Sequence, residues 1–317
     1  MVHVLMASQQ LALPFRSAVP EFYLGMSQFE WLRREELNGI NVFLSMRRLY
    51  ERRNLPRGNL ARIAFDSGAF KQLQLYGKWD LSAAQFADRC LALKRHFGKQ
   101  ALWFSPQDWM CERLVISGGR TKDGVFVGTG LSVEEHQRRT VDNYIALRDL
   151  LGDDVILVVQ GETVFDYWRC LQMYHDAGVR FENVERIGVG SVCRRQNTND
   201  ATLIMQSIAS EVGNKLHGYG FKVEGYRTCA QYMRSGDSFA WSFAGRMRPD
   251  VTHDHYMRSV RFIPGNKGKR GCADDCSQCL VYALKWRAML MQHLNSAVAS
   301  NCQQASACRV CDVVHDN

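Results

Sequence analysis

The chain has 317 residues and a mass of 36.3 kDa, with 46% apolar and 23% charged residues, a balance typical of one large folded domain or two smaller ones. This composition excludes a disordered, fibrous or membrane-spanning protein. Forty Lys and Arg residues against 32 Asp and Glu residues give a net charge of +8, which favours a polyanionic partner such as nucleic acid.

The sequence shows no signal for a membrane or for secretion. No stretch reaches the roughly 18 uninterrupted apolar residues of a membrane-spanning helix, and the run from Met1 to Leu13 lacks the Lys and Arg cluster of a signal peptide. The 11 cysteines are odd in number, and several lie within apolar or helical patterns, as reduced core thiols do. We therefore expect a cytoplasmic protein with no membrane partner.

Short apolar runs alternate with amphipathic segments along most of the chain. The eight candidate strands are Phe22–Leu24, Val42–Leu44, Ile63–Phe65, Leu102–Phe104, Val155–Val159, Ile187–Val189, Leu216–Tyr219 and a weaker run before Asp237. The clearest helical segments are Ala83–Phe97, Val133–Leu151, Val164–Ala177 and Asp200–Val212. The alternation predicts an α/β fold, a (β/α)₈ TIM barrel, to which the cysteines described below add a structural zinc-binding segment. An open doubly wound sheet is the alternative, but polar residues at the carboxyl ends of most runs favour a barrel mouth.

Two regions interrupt this alternation. Residues Ser117–Gly130, with five glycines, are predicted to form a long mobile loop over the mouth. The segment Ala244–Gly271 has seven Lys and Arg residues against two acids, which predicts phosphate contacts through Arg246, Arg248, Lys267, Lys269 and Arg270. The predicted domains are a TIM-barrel catalytic domain over 1–243, a basic and zinc-binding subdomain over 244–297, and a flexible tail over 298–317.

Two acids follow predicted strands and are candidate catalytic groups. Asp66 ends an apolar run before a Ser-Gly turn, and Asp237 precedes Ser238 at the end of the weak eighth run. Paired carboxyl groups at one mouth can divide the work of nucleophile and general acid at a sugar carbon. The alternative for Asp66 is a plain helix N-cap.

Other strand ends carry residues suited to reading a purine base. Asp108 can accept the amino and N1 hydrogens of guanine, whereas Gln160 or a backbone N–H can bind its O6. Gly190, Ser67 and Gly218 are predicted to bring backbone or hydroxyl groups to the same ligand. Alternatively, Gln160 caps a helix and Asp108 lies in a solvated turn.

Closely spaced thiols near the carboxyl end predict a structural zinc site. The spacing Cys272-x₃-Cys276-x₂-Cys279, followed by His293 on a helical segment, suits tetrahedral zinc. The fourth ligand is open, because Cys302, Cys308 and Cys311 are alternatives, and the last two could bind a second ion with His315. Three reduced surface thiols without metal are the remaining alternative.

Seven segments precede the cysteine cluster in a fixed order: Asp66-Ser67-Gly68-Ala69-Phe70, Asp108, His136-Gln137-Arg138-Arg139-Thr140, Val159-Gln160-Gly161, Ile187-Gly188-Val189-Gly190-Ser191, Leu216-His217-Gly218-Tyr219-Gly220 and Asp237-Ser238. Together they resemble the tRNA-guanine transglycosylase superfamily, from about Phe22 to His293. That superfamily contains zinc-binding barrels that exchange a guanine in a nucleic acid for a 7-deazaguanine. The resemblance implies that Asp237 is the nucleophile, that Asp66 is the general acid and base, and that Asp108, Gln160 and the Gly190 backbone read the base.

Within the superfamily, the runs Phe22–Gly25, Gly190–Arg195 and Asp237–Trp241 resemble the 7-deazaguanine DNA transglycosylases, the DpdA family of phages and bacterial modification clusters. This resemblance implies DNA and a base such as preQ0 as partners, inside a bacterial host cell if a phage encodes the chain. Three alternatives stay open: a tRNA enzyme of the same chemistry, a glycosylase or nucleoside hydrolase, and a non-catalytic nucleic-acid-binding subunit.

Overall fold

The computed structural model describes residues 19–50, 52, 54–55, 61–121, 124–193, 195, 199–247 and 276–312, with the backbone alone for 247, 276 and 297–312. Arg248, Lys267, Lys269, Arg270 and Cys272 therefore lie outside the described residues. Among the helices of the described part, none is long and apolar enough to cross a membrane.

Strands form at all eight predicted apolar runs, and a ninth and tenth strand form between them. The strands are β1 (Glu21–Met26), β2 (Asn41–Ser45), β3 (Arg62–Asp66), β4 (Ala101–Phe104), β5 (Gly119–Thr121), β6 (Gly124–Phe126), β7 (Leu157–Val159), β8 (Ile187–Val189), β9 (Leu216–Gly218) and β10 (Met233–Ser238). All except β5 and β6 belong to one parallel sheet, in the order β4-β3-β2-β1-β10-β9-β8-β7. The α/β class and the eight parallel strands are confirmed.

The two edge strands of this sheet, β4 and β7, approach each other. Phe104 at the end of β4 forms a parallel bridge with Val155, and the Ile156 N–H donates to the Phe104 carbonyl over 3.0 Å. A full ladder between β4 and β7 is not formed in the described residues: β7 has three residues, and Pro106, just past β4, has no N–H to donate. The predicted closed barrel is therefore a curled sheet, open between β4 and β7 apart from this bridge.

Helices follow most strands and cover the outside of the curl. They are α1 (Met46–Tyr50), α2 (Ala69–Tyr76), α3 (Ala83–Phe97), α4 (Arg113–Ser117), α5 (Val133–Leu151), α6 (Val164–Asp176), α7 (Asn199–Val212), α8 (Val223–Cys229), α9 (Ala240–Met247) and α10 (Leu280–Asp312). The four helices predicted between strands agree with α3, α5, α6 and α7 to within one residue at each end. Capping boxes at Ser82 and Thr163 start α3 and α6 by satisfying N–H groups of the first turn.

Alternate residues of the strands point into two different apolar layers. On the inside of the curl, one cluster consists of Tyr23, Phe43, Ala64, Trp103, Ile156 and Val158. Their sequence neighbours, such as Leu24, Leu44 and Phe65, pack in the larger cluster against the helices. This alternation turns the polar residues at the carboxyl ends of the strands toward a single mouth.

The structure describes the glycine-rich region except for residues 122 and 123. Residues Ser117–Gly130 contain the antiparallel hairpin β5–β6, in which Arg120 pairs with Val125. The Val127 N–H also donates to the Gln74 carbonyl over 3.0 Å, which attaches the hairpin to α2. In the described residues of this stretch, a hairpin is found where the sequence predicted a loop. Gly119 and Gly124 lie within its strands and all five glycines have positive φ, so glycine counting alone does not distinguish a hairpin from a loop.

The last helix is longer than predicted. α10 runs from Leu280 to Asp312, whereas the sequence predicted its end near Asn295 and a flexible tail after it. Neither Gly nor Pro occurs between these two residues, so the backbone has no residue that strongly favours a stop.

Candidate active site

Asp66 ends β3, and the following Ser-Gly turn holds its carboxyl group at the mouth. The Gly68 N–H donates to Asp66 Oδ2 over 3.0 Å, and Gly68 has φ of 85°, a conformation that a side chain would strain. A Cβ at Gly68 would also lie 2.7 Å from Cβ of Arg47. α2 begins after Gly68 without a side-chain cap, so Asp66 does not serve as a helix N-cap.

Asp237 lies in β10, beside Tyr23 of β1, and is only 6% exposed. Its Oδ1 accepts the Gly220 N–H over 2.9 Å and lies 3.4 Å from Nε2 of His217. Both groups come from the end of β9 and the turn after it. The carboxyl group is therefore held on one side by the neighbouring strand.

Three carboxyl groups interact electrostatically at this mouth. Burial raises the pKa of Asp66 to about 7, and the Asp237 charge adds to the shift. Burial also raises the pKa of Asp108 to about 7, with Asp66 adding to it, and raises that of Asp237 to about 7. With pKa values raised to about 7, each of these groups can be present as carboxylic acid or as carboxylate near neutral pH. These are the states that a nucleophile and a general acid need.

Asp108 and Gln160 form the polar floor of the pocket. Gln160 Nε2 donates to Asp108 Oδ2 over 2.6 Å, and Ser67 Oγ donates to Asp108 Oδ1 over 3.2 Å. Ser191 Oγ donates to Gln160 Oε1 over 2.7 Å, which fixes which end of the amide faces Asp108. The predicted alternatives, a helix cap and a solvated turn, do not fit these two buried side chains.

Two glycines predicted to bind the ligand have different surroundings. A Cβ at Gly190 would lie 2.5 Å from Cδ of Gln160, so only glycine leaves room for the amide. A Cβ at Gly218 would instead meet Met233 and Phe221 at 2.7 Å, on the side of the outer core. Gly190 thus lies next to Gln160, whereas the α-carbon of Gly218 faces Met233 and Phe221 in the outer core. A substrate contact for either glycine remains a prediction.

Helix α5 supports the pocket from behind. Gln137 Nε2 donates to the carbonyls of Gln160 and Asp166 over 2.6 Å each. Thr140 Oγ1 accepts the Trp109 N–H over 2.8 Å, directly after Asp108 in the chain. The buried side of α5 thus fixes the two backbone segments that carry the floor residues.

Sequence reasoning missed two functional candidates on β9 and in the turn after it. Tyr219 Oη lies 2.8 Å from Ser105 Oγ, and burial, with the charges of Asp108, Asp66 and Asp237, raises the pKa of this hydroxyl. His217 approaches Asp237, as described above. Period-two alternation along Leu216–Tyr219 would have predicted that both side chains point into the curl.

The predicted zinc ligands are only partly described. Cys279 is half-buried just before α10, Cys276 lies in a short 3₁₀ helix with its backbone alone described, and Cys272 lies outside the described residues. His293 lies 14 residues after Cys279 along α10, a rise of roughly 21 Å at about 1.5 Å per residue, so one ion cannot bind both. Among the described residues, no cluster of three or more metal-binding side chains is found.

The mouth therefore defines a class of site. Coupled carboxyl groups lie at the carboxyl ends of parallel strands, beside an amide and backbone groups that can bind a planar ligand. This arrangement is typical of an α/β enzyme that uses carboxyl groups as nucleophile and proton carrier.

The sequence model of the DpdA family, described as DeoxyPurine in DNA protein A, matches residues 19–316, nearly the whole chain. The chain belongs to the DpdA family, and the branch predicted from the sequence motifs is confirmed. No curated protein matches the chain. Family membership implies a transglycosylase connected with 7-deazaguanine modification of DNA.

Proposed function

We propose that this protein exchanges a guanine in DNA for a 7-deazaguanine base of the preQ0 type through a covalent intermediate on Asp237. The observation that supports the proposal is the placement of Asp66 and Asp237 at the carboxyl ends of β3 and β10, two parallel strands of one sheet, where burial raises the pKa of both acids to about 7. Membership in the DpdA family supports DNA as the nucleic acid.

In the first half of the reaction, guanine leaves the base stack and enters the pocket. Unstacking costs a few kcal/mol, which hydrogen bonds and stacking in the pocket offset. The Asp237 carboxylate attacks C1′ of the sugar while the bond from C1′ to guanine N9 breaks. Asp66 donates its proton to the departing guanine, and the phosphate backbone stays intact.

In the second half, the deazaguanine occupies the vacated pocket. The Asp66 carboxylate takes the N9 proton of the incoming base, and N9 attacks C1′ as the bond to Asp237 breaks. One glycosidic bond replaces another, so the cycle returns both acids to their starting states. It needs neither a nucleoside triphosphate nor a redox cofactor.

Base recognition falls to Asp108 and Gln160. The Asp108 carboxyl group can accept the N1 and amino hydrogens of guanine, and Gln160 Nε2 can turn from Asp108 to donate to O6. Because 7-deazaguanine shares this edge with guanine, the same residues bind the leaving and the incoming base.

DNA phosphates are proposed to bind the basic segment after the mouth. Arg246, the one predicted phosphate contact whose side chain is described, is exposed near the end of α9. α9 begins three residues after Asp237, and Arg246 lies in its last turn. The other predicted contacts lie outside the described residues.

A structural zinc is proposed for Cys272, Cys276 and Cys279, with a fourth ligand other than His293. Its part is to fix the chain between the basic segment and α10, and it takes no part in the exchange.

The proposal is tested with duplex DNA that carries labelled guanine. With preQ0, the wild type should release label into the free-base fraction; with acceptor withheld, it should form a protein–DNA adduct that survives denaturation. Asp237→Ala should abolish the adduct, whereas Asp66→Asn should slow its formation.

Other outcomes identify the alternatives. Label lost from tRNA in preference to DNA would indicate the tRNA enzyme, and repeated release of guanine without acceptor, well beyond one guanine per enzyme, would indicate a glycosylase. Exchange at the normal rate by Asp237→Ala would contradict the assignment of the nucleophile. No reaction on either nucleic acid, with DNA still bound, would indicate a non-catalytic subunit.

A further inference from the structure

His217 is a fully buried histidine inside the curl, next to the mouth. Its ring packs against the rings of Tyr23, Phe43, Trp103 and Tyr219, with centroids 4.8 to 5.9 Å away. Four aromatic neighbours leave the imidazole little rotational freedom, so its two nitrogens point in fixed directions.

Its hydrogen bonds indicate which nitrogen carries the proton. Nδ1 lies 2.8 Å from Ser235 Oγ, and the same Oγ accepts a hydrogen bond from the Arg186 guanidinium. A guanidinium group can only donate, so Ser235 Oγ is the acceptor in that bond. The hydroxyl hydrogen of Ser235 then needs an acceptor of its own, and Nδ1 is the one acceptor for it among the described residues. Nδ1 is then the acceptor, and the hydrogen of the neutral ring is on Nε2.

The Nε2 nitrogen lies close to Asp237. Nε2 is buried without a well-formed hydrogen bond to any described residue, and Asp237 Oδ1 is an acceptor at 3.4 Å. Burial lowers the pKa of His217 well below its usual range, so the ring remains a neutral donor. Hydrogen bonds between catalytic groups are often long in the free enzyme and shorten during reaction.

We propose that His217 is a positioning residue, which donates its Nε2–H to Oδ1 of Asp237 when that acid is ionised and so leaves Oδ2 to attack. The Gly220 N–H already binds Oδ1 over 2.9 Å, so both donors hold the same oxygen. The contact stabilises the carboxylate and fixes its rotation without forming an ion pair. The inference rests on the proposed function, because it assigns Asp237 as the nucleophile.

The first test reads the tautomer in the wild-type protein. Long-range ¹H–¹⁵N NMR distinguishes protonated from bare ring nitrogens, and His217→Gln identifies the His217 signals among those of the nine histidines. We expect the hydrogen on Nε2. A hydrogen on Nδ1, or on both nitrogens, would overturn the proposal, and this result does not depend on whether the protein exchanges bases.

The second test uses two variants that differ in the donor. The Gln side chain of His217→Gln places an amide N–H near the position of Nε2, whereas His217→Phe fills the aromatic cage without a donor. We expect His217→Phe to lower kcat about tenfold to hundredfold at nearly unchanged KM, the range for a lost bond to a charged group, and His217→Gln to recover most of that loss.

Equal kcat for His217→Phe and the wild type, or equal losses in both variants, would contradict the positioning role. If His217→Phe does not fold, Ser235→Ala replaces it: without the hydroxyl donor Nδ1 can carry the hydrogen, and kcat should fall as the NMR signal of the Nε2–H form weakens. If the wild type itself exchanges no base, the proposed function fails, while the tautomer result stands on its own.

Discussion

The Gln160 side chain donates a 2.6 Å hydrogen bond to Asp108, and both side chains are buried. The two groups satisfy each other's hydrogen bonding. Under the proposed function, a guanine separates them and then supplies a donor edge to Asp108 and an acceptor to Gln160. The pocket is therefore prepared for a ligand that carries both kinds of group on one edge.

Replacing Asp108 should weaken base binding more than it slows chemistry. In Asp108→Asn, one carboxyl oxygen becomes an amide N–H₂ that opposes the guanine hydrogens. We expect kcat/KM to fall roughly hundredfold, or about 2–3 kcal/mol, mostly through KM. Ser67→Ala, which removes only the 3.2 Å hydroxyl contact, should cost less than about tenfold. An unchanged KM in Asp108→Asn, measured by guanine exchange, would contradict the role of Asp108 in reading the base.

The buried acids should make the fold less stable as pH rises. The pKa of Asp237 is about 7 in the folded protein, against about 3.9 in an unfolded chain. Between these values the folded state binds more protons, so its contribution to stability is complete below pH 4 and is lost as pH rises through 7.

Asp237→Asn removes this dependence and should raise Tm at pH 8.5 by roughly 2–6 °C, or about 1–2 kcal/mol, while changing it little at pH 4. Asp88→Asn, an exposed change on α3, is the matched control and should leave Tm nearly unchanged at both pH values. A lower Tm for Asp237→Asn at pH 8.5 would mean that the ionised carboxylate stabilises the fold. Thermal unfolding at the two pH values decides between these outcomes.

The sequence predicted the strands and the acids at their ends because parallel strands bring their carboxyl ends to one edge. Asp66, Asp108 and Asp237 could be found in this way, since each follows or ends an apolar run. His217 could not be assigned a partner, because its approach to Asp237 depends on the pairing of β9 with β10, which no local pattern encodes.

Backbone shape was the second limit of sequence reasoning. Ser191 has φ of 56°, the one left-handed non-glycine residue in the described chain, and this conformation accompanies its bond to Gln160. A serine gives no local signal for such a conformation. The hairpin β5–β6 was missed for a related reason, since glycines favour a turn and a loop alike.

The effect of replacing Gly190 on guanine exchange should depend on the presence of the Gln160 side chain. Gly190→Ala places a Cβ against the Gln160 amide and should displace it, at a cost of about 1–3 kcal/mol in kcat/KM for guanine exchange. In a Gln160→Ala background the space is free, so the same glycine change should have little further effect. The coupling is measured with a double-mutant cycle. If the loss in the double variant equalled the sum of the losses in the two single variants, Gly190 would act independently of Gln160.

The zinc prediction separates two residues that the sequence had grouped together. Cys276→Ser should remove bound zinc and lower Tm, because a thiolate ligand is lost from a site that fixes the chain before α10. His293→Ala should retain both zinc and Tm: the imidazole is exposed, its Nδ1 lies 2.7 Å from the Met289 carbonyl, and it is roughly 21 Å from Cys279 along the helix. Zinc per chain, measured by elemental mass spectrometry on both variants and the wild type, checks the pair. Loss of zinc in His293→Ala would require α10 to bend back on itself. Retention of zinc in Cys276→Ser would contradict the proposed thiol site.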